Sequence, residues 1–490
     1  MIVGKFAVID IGSNTIRLVV YENLERAPYV IFNEKVFCSL GRGVSETGFM
    51  RDKSIIKAVK TLRRFSILLE KMNVTNYKTV ATSAVRDANN GEAFVKHIKD
   101  VSGLNIHVLS GAEEARLSGK GVICALPRAM GIIGDLGGGS LELATVYDKE
   151  VSNEATLPIG PLQLQDLEGK RISSVKEKID KHFTAILWLK ERKNEKFYAV
   201  GGSWRTLARI HMIETKYPLI NMHNYVIPVN EITELASRIS KMSKIELEQY
   251  RPYISSKRIK TLSLAAMVLS RLLKVIKPCK FIVSVFGVRE GLLYNQMEPN
   301  IREQDNLITS CHQVAQMTGR FPEHGERLYE WIDCLFDDEN TAHKRLRLAI
   351  CILSDVGWRG HPEYRAEKVV SETLYGRLGG INHSDSSLIA MSLYTCYGGL
   401  SHNVPQVETA KALLSKEDIC YAKKIGLALR FAQRISGGTS DGLKVVKLAK
   451  EKSRLTLLVE TDMIDLVNDV VERRFKKLAK FLELDDKISS

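Results

Sequence analysis

Cysteine is present in this chain but nowhere arranged for chemistry. The eight residues, at positions 38, 124, 279, 311, 334, 351, 396 and 420, include no Cys-x-x-Cys, which removes the common thiolate–metal and dithiol motifs. Several lie inside apolar periodic runs, as Cys351 does in Leu348-Ala349-Ile350-Cys351-Ile352-Leu353, so reduced, buried thiols are expected. No apolar stretch approaches the roughly 18 residues that cross a bilayer. Phe6-Ala7-Val8-Ile9 is too short for a secretory h-region and runs at once into Asp10. The expectation is a cytoplasmic protein with no membrane partner.

Three phosphate and acyl-transfer signatures are also missing: Gly-x-x-x-x-Gly-Lys-Ser/Thr, Gly-x-Gly-x-x-Gly and Gly-x-Ser-x-Gly. Their absence disfavours P-loop nucleotide hydrolysis, nicotinamide chemistry and elbow-type serine hydrolysis. No low-complexity linker interrupts the chain, so its domains are expected to pack closely. At 490 residues it is too long for one core, and 44% hydrophobic with 26% charged residues is an ordinary globular composition. Negative charge is in short supply: 71 Lys and Arg against 57 Asp and Glu leave a formal +14. That balance favours a polyanionic partner, whether nucleic acid, a phosphorylated nucleotide, inorganic polyphosphate or an anionic surface. The basic residues are dispersed more than clustered, which equally suits solvated helix faces.

Two stretches carry the same pattern. Val8-Ile9-Asp10-Ile11-Gly12-Ser13-Asn14 and Ile133-Gly134-Asp135-Leu136-Gly137-Gly138-Gly139-Ser140 each end a short apolar run in an aspartate, turn on glycine and present a serine. Glycine lets backbone N–H groups approach a phosphate with no Cβ in the way, and the aspartate offers a hard oxygen to Mg²⁺. One such turn reads as a plain hairpin. A pair implies a cleft between related halves.

The order of elements agrees. Lys5 to Ile11, Thr15 to Tyr21 and Tyr29 to Val36 read as adjacent strands, followed by a helix over Ser54 to Met72, a strand at Tyr77 to Thr82, a helix over Gly91 to Val101, a strand at Asn105 to Leu109 and a helix from Gly111 to Leu126. Three strands at Gly131 to Leu136, Leu141 to Tyr147 and Val151 to Leu157 then restart the series. Helices over Ser174 to Leu189, Trp204 to Ile213 and Ile259 to Ile276 follow, with strands at Phe197 to Val200 and Lys280 to Val285 and a helix from Val288. This is a duplication at a period longer than any solenoid repeat. From about Asn306 helical periodicity takes over, with one late strand-like patch, Leu455 to Val459, before a basic closing helix.

Ser110 and Glu113 form a capping box at the start of the helix from Gly111. Glu114 is left without that task, and a step of about 100° turns it off the capping face. In the first helical turn its anionic form is favoured by the macrodipole, which suits a general base; a solvated surface carboxylate is the bland alternative. Arg86 follows a strand, where it can fork onto phosphate oxygens or pair with Asp87 or another carboxylate. Glu142, two residues past Ser140, can add a carboxylate to a metal's outer shell.

Taken together, Ala7 to Asn14, Thr82 to Arg86, Ser110 to Leu117, Asp135 to Leu143, Gly160, Gly201 to Ser203 and Arg289-Glu290-Gly291 resemble the exopolyphosphatase/guanosine pentaphosphate phosphatase family, long form, of the actin-like superfamily. The resemblance implies an α/β fold of two duplicated actin-like (ribonuclease H-like) domains, 1–126 and 127–303, followed by an all-α, degenerate HD-like domain, 304–490. It implies Mg²⁺-dependent hydrolysis of the terminal phosphate of inorganic polyphosphate, with pentaphosphorylated guanosine as the alternative substrate. It implies Glu114 as catalytic residue, Asp10, Asp135 and Glu142 around the metal, and Ser13, Asn14, Arg86, Gly137, Gly138, Gly139, Ser140 and Ser203 on the phosphates. A homodimer is implied as well, and nucleic acid is not expected as a substrate.

Two departures stand out. Gly201-Gly202-Ser203 continues into Trp204-Arg205, where the family often has small residues; these side chains either narrow the site, add a phosphate contact or pack the helix they begin. In the C-terminal region the His-Asp pair of related metal phosphohydrolases reads Ser354-Asp355, with His343 and His361 nearby. Serine does not replace imidazole as a ligand, so a binding or dimerisation role is expected there. From a different functional class, a polyanion-binding scaffold without turnover also fits the charge.

Overall fold

The computed structural model describes residues 4–165, 172–376, 378–399 and 404–489. It resolves into two compact units, Met1–Gln304 and Asp305–Ser490. The first unit holds two mixed sheets. One comprises β1 (Phe6–Ile11), β2 (Thr15–Tyr21), β3 (Val30–Phe37), β4 (Asn76–Ala81) and β5 (Ile106–Val108) in the order β3-β2-β1-β4-β5. The first three strands are antiparallel, β4 runs parallel to β1, and β5 runs parallel to β4.

The second sheet repeats the plan with β6 (Gly131–Leu136), β7 (Leu141–Tyr147), β8 (Glu150–Leu157), β9 (Lys196–Val200), β10 (Tyr225–Ile227) and β11 (Lys280–Val283). Its order β8-β7-β6-β9-β11 mirrors the first sheet, and β10 adds an antiparallel edge. The duplicated α/β architecture expected from the sequence is thus present strand for strand. The one helix expected over 174–189 is instead two, Ile172–Thr184 and Leu187–Glu191, parted where Ile186 turns extended and buries its side chain. Three-residue β10 is too short to show an alternation, and the amphipathic helix behind it, Val229–Ile239, also went unread.

Strand β1 shows why its sequence is apolar throughout. Ala7, Ile9 and Ile11 pack into a core with the helices Asp52–Lys71 and Gly91–Ser102, whereas Phe6 and Val8 face a second core shared with the other sheet. A strand buried on both faces loses the polar alternation of a surface strand. The shared core contains Leu117, Val122 and Ile123 of the helix Gly111–Ala125 and Leu292, Leu293 and Tyr294 of the helix Val288–Gln296. These two helices cross on glycine. A Cβ on Gly121 would lie 2.1 Å from the Gly287 carbonyl oxygen, and one on Gly291 only 1.9 Å from that of Leu117. No other residue fits that approach.

The second unit is helical, with its own core of Leu, Ile, Val and Phe side chains from helices that include Thr341–Leu353, His383–Cys396 and Lys416–Ile435. It is not all-α, which corrects the expectation for 304–490. A three-stranded sheet, β12 (Val446–Lys450), β13 (Arg454–Val459) and β14 (Asp485–Ser489), is added in that order. The central strand was visible as Leu455 to Val459. Its parallel neighbour β14, Asp-Asp-Lys-Ile-Ser, has too little apolar character to read as a strand.

Candidate active site

Both glycine turns close with the same bond: Gly12 N–H donates to the Thr15 carbonyl and Gly137 N–H to that of Ser140, each at 3.0 Å. The hairpins come from different sheets, yet their tips touch. A Cβ on Gly138 would sit 3.2 Å from Ser13 Cβ, and one on Gly139 would sit 2.7 Å from Ser83 Oγ. The Ser13 and Ser83 hydroxyls share a hydrogen bond of 2.8 Å. Beside these tips a cavity of about 180 Å³ opens between the sheets. Of the residues singled out in the sequence, Asp10, Ser13, Asn14, Glu114, Asp135, Gly137, Gly138 and Ser203 line it; Arg86, Gly139, Ser140 and Glu142 do not.

The capping box at Ser110 is formed, with Glu113 bound to the Ser110 backbone and hydroxyl at 2.8 Å each. That frees Glu114, whose side chain is buried against the cavity. Burial pushes its carboxyl up to about 7, against the pull of Arg86 and with help from Asp135 and Asp10. Arg86 Nη1 donates to Glu114 Oε2 at 3.1 Å and to the Leu109 carbonyl at 3.0 Å, while Nε reaches Asp87. Arg86 is thus held on Glu114 and does not itself line the cavity.

Asp10 and Asp135 are both raised above the usual carboxylate range, first by burial; Asp135 raises Asp10 further, while Arg289 lowers both. Ser118 Oγ donates to Asp135 Oδ2 at 2.5 Å. Ser118 stands four residues after Glu114, one helical turn on, and that spacing was the signal that could have found it. Glu142 pairs with Asp135 across β6 and β7. It is fully covered, its pKa driven well up by burial and by Glu114, and its Oε1 has no hydrogen-bond partner among the described residues.

The sequence marks Arg205 and Arg289 but gives no sign of three further cations at the site. Arg17, Lys35, Arg205, Arg258 and Arg289 all line the cavity. Register explains two of them: Asp10 faces Arg17 on β2, and Arg17 faces Lys35 on β3, so one row across the sheet reads acid, base, base. Lys35 at the rim is brought down to about 8 by partial desolvation and then by Arg258, Arg17, Arg205 and Arg289. Arg258 Nη1 reaches Ser203 Oγ at 3.4 Å, and Arg205 donates to the Val285 carbonyl at 3.1 Å. Trp204 is fully buried, edge-on to Phe197 at 5.5 Å. Of the alternatives for this pair, Trp204 packs the helix and Arg205 lines the site.

Residues 19–300, more than half of the chain, match the Ppx/GppA phosphatase family, and residues 307–486 match the family described as exopolyphosphatase, C-terminal. The chain belongs to the Ppx/GppA phosphatase family. It is therefore a hydrolase. Retrograde regulation protein 2 of Saccharomyces cerevisiae is 24% identical over 441 residues, which cover 82% of this chain and 73% of that protein. Exopolyphosphatase 1 of Mycobacterium leprae is 25% identical over 313 residues, covering 60% and 90% respectively. The solved Ppx/GppA member from Aquifex aeolicus shares 25% identity and a TM-score of 0.52 over 60% of this chain and 97% of its own.

In the second unit of this Ppx/GppA chain, Asp355 is buried and already engaged. It accepts from the Arg320 backbone N–H at 2.5 Å, from Arg320 Nε at 2.8 Å and from Phe321 N–H at 3.0 Å. Ser354 donates to the Cys351 carbonyl and His343 stacks on Tyr421. Ser354, Asp355 and His343 are thus held in structural contacts. No helix among the described residues is long and apolar enough to cross a membrane.

Proposed function

We propose that this protein hydrolyses the terminal phosphoryl group of linear inorganic polyphosphate. The observation that carries the reading is Glu114: a buried carboxyl poised near neutrality on a cavity whose other walls supply five cationic side chains and two aspartates. Backbone N–H groups of the turns at Ser13, Asn14 and Gly138, with Ser203 and the arginines, would hold phosphate oxygens. Glu114, oriented by Arg86, takes a proton from water as its oxygen attacks the terminal phosphorus. The phosphoanhydride P–O bond breaks, and the shortened chain leaves as an anion matched by the surrounding guanidinium groups. No aromatic ring lines the cavity among the described residues, which favours a phosphate chain over a nucleobase inside it.

The donor set also fits Mg²⁺. No cluster of three metal-ligating side chains exists among the described residues, but Mg²⁺ commonly takes one or two carboxylates and completes its shell with water and substrate phosphate. Asp10 and Asp135 are the pair that would hold it, with Glu142 behind them. When bound, it would neutralise phosphate charge and polarise the reacting phosphoryl group.

Phosphate release from polyphosphate, with and without Mg²⁺, tests this. Glu114→Gln should lose about 10²- to 10⁴-fold in rate while remaining folded. Near-normal release by folded Glu114→Gln protein would remove Glu114 from the mechanism, binding without release would leave a polyanion scaffold, and faster turnover of guanosine pentaphosphate than of polyphosphate would exchange the substrate. The same reading includes a cytoplasmic homodimer, consistent with eight cysteines that are all free; light scattering that finds only particles of 55.0 kDa would count against the dimer.

A further inference from the structure

The second unit contains a cavity of about 380 Å³ that no part of the proposed reaction uses. Its size is that of a small-molecule site. Five guanidinium groups line it: Arg320, Arg365, Arg430, Arg434 and Arg474. No Asp, Glu or His is among the described residues of its wall. Arg320 is neutralised by Asp355 behind it. Among the described residues Arg365 and Arg474 donate only to the carbonyls of Gly360 and Arg430. Burial lowers both Arg430 and Arg474, and Arg434 lowers each further. So much like charge around one space is favourable only when an anion fills it.

Two uncharged groups restrict which anion. Gln433 is 8% exposed and its Oε1 is buried with no donor among the described residues. Its orientation is set by a chain of bonds: Ser354 Oγ gives its proton to the Cys351 carbonyl at 2.7 Å, so it must accept from Gln433 Nε2 at 3.1 Å. The orphan is therefore an acceptor that asks for a donor. Trp358 Nε1 is the converse, a buried donor with no acceptor among the described residues, and its ring already carries Arg320 and Arg365 at 3.8 and 4.3 Å. A fully ionised phosphate anion, such as the interior of a chain or a phosphate ring, can satisfy Trp358 and the arginines but brings no N–H or O–H to Gln433.

We propose that this cavity binds a small phosphate ester, a mono- or diphosphate whose organic part presents a hydroxyl or amino group to Gln433 Oε1. The site binds and does not react, since no carboxylate or imidazole is among the described residues of its wall. Calorimetric titration of the full chain with ADP, glucose 6-phosphate and the fully ionised ring trimetaphosphate tests it, comparing wild type with Arg434→Glu and Gln433→Leu. Arg434 is exposed on its helix, so its reversal leaves the core intact, and unchanged polyphosphate hydrolysis by both variants without added ester reports that the first unit is unaffected. At least one ester should show a class of sites that weakens about tenfold or more in both variants. Trimetaphosphate should weaken with Arg434→Glu and hardly with Gln433→Leu. Ester binding that neither variant changes, or trimetaphosphate binding this cavity more tightly than both esters, overturns the proposal. If Gln433→Leu does not fold, an Arg434→Glu protein with wild-type ester affinity overturns it alone.

Discussion

At Glu114 two effects oppose each other, and burial prevails over the Arg86 guanidinium. A base must be unprotonated, so kcat/KM is expected to fall as pH drops through about 7, and Glu114→Gln should lose that limb along with its rate. Lys35 gives the opposite limb: as it loses its proton above about 8, phosphate binding weakens, and Lys35→Met should flatten that side of the profile. Removing Arg86 takes away the cation that lowers Glu114. Arg86→Met should shift the acid limb upward and reduce kcat at neutral pH, with KM nearly unchanged; a large rise in KM instead would return Arg86 to the phosphate. Stability follows the same linkage with its own sign. The folded protein holds the Glu114 proton more tightly than the unfolded chain, so stability falls as pH rises from about 4.5 to about 7. Glu114→Gln should therefore melt above wild type at alkaline pH and close to it at pH 5.

At the scale of elements, Glu114 is aimed by a helix that can lie against Val288–Gln296 only because glycines occupy the crossing. Gly291→Ala drives a Cβ into the Leu117 carbonyl, an overpacking expected to cost about 1–3 kcal/mol. Denaturation midpoint and phosphate release should fall together, since the helix carries both Glu114 and Ser118. The turns, the capping box and most strands of the first unit were legible because each depends on neighbours in sequence. Asp10 and Asp135 could be paired from their matching turns alone. Arg205 and Arg289 were legible only beside their glycine motifs, while Arg258 reaches the cavity from the separate helix Ser256–Ile276, and nothing local in sequence marks it as their companion. Trp204 was ambiguous for a related reason, since only the second-sheet core, with Phe197 beside it, decides which way the indole goes.

Across the whole molecule, a formal charge of +14 takes on a particular form, because five of the positive side chains converge on one cavity and five on another. Binding of a polyanion to such a surface releases counterions and is salt-dependent. Raising ionic strength should therefore increase KM for long polyphosphate far more than it changes kcat. A kcat that collapses while KM holds would point to salt acting on the reacting groups themselves. The first cavity is also spread widely along the polypeptide, from Asp10 to Arg289. During translation the two aspartates and Glu114 leave the ribosome well before Arg205, Arg258 and Arg289 exist to balance them. A nascent chain halted before Arg289 would carry every acidic group of the centre yet have no competence to release phosphate, so activity should switch on late and as a unit during synthesis.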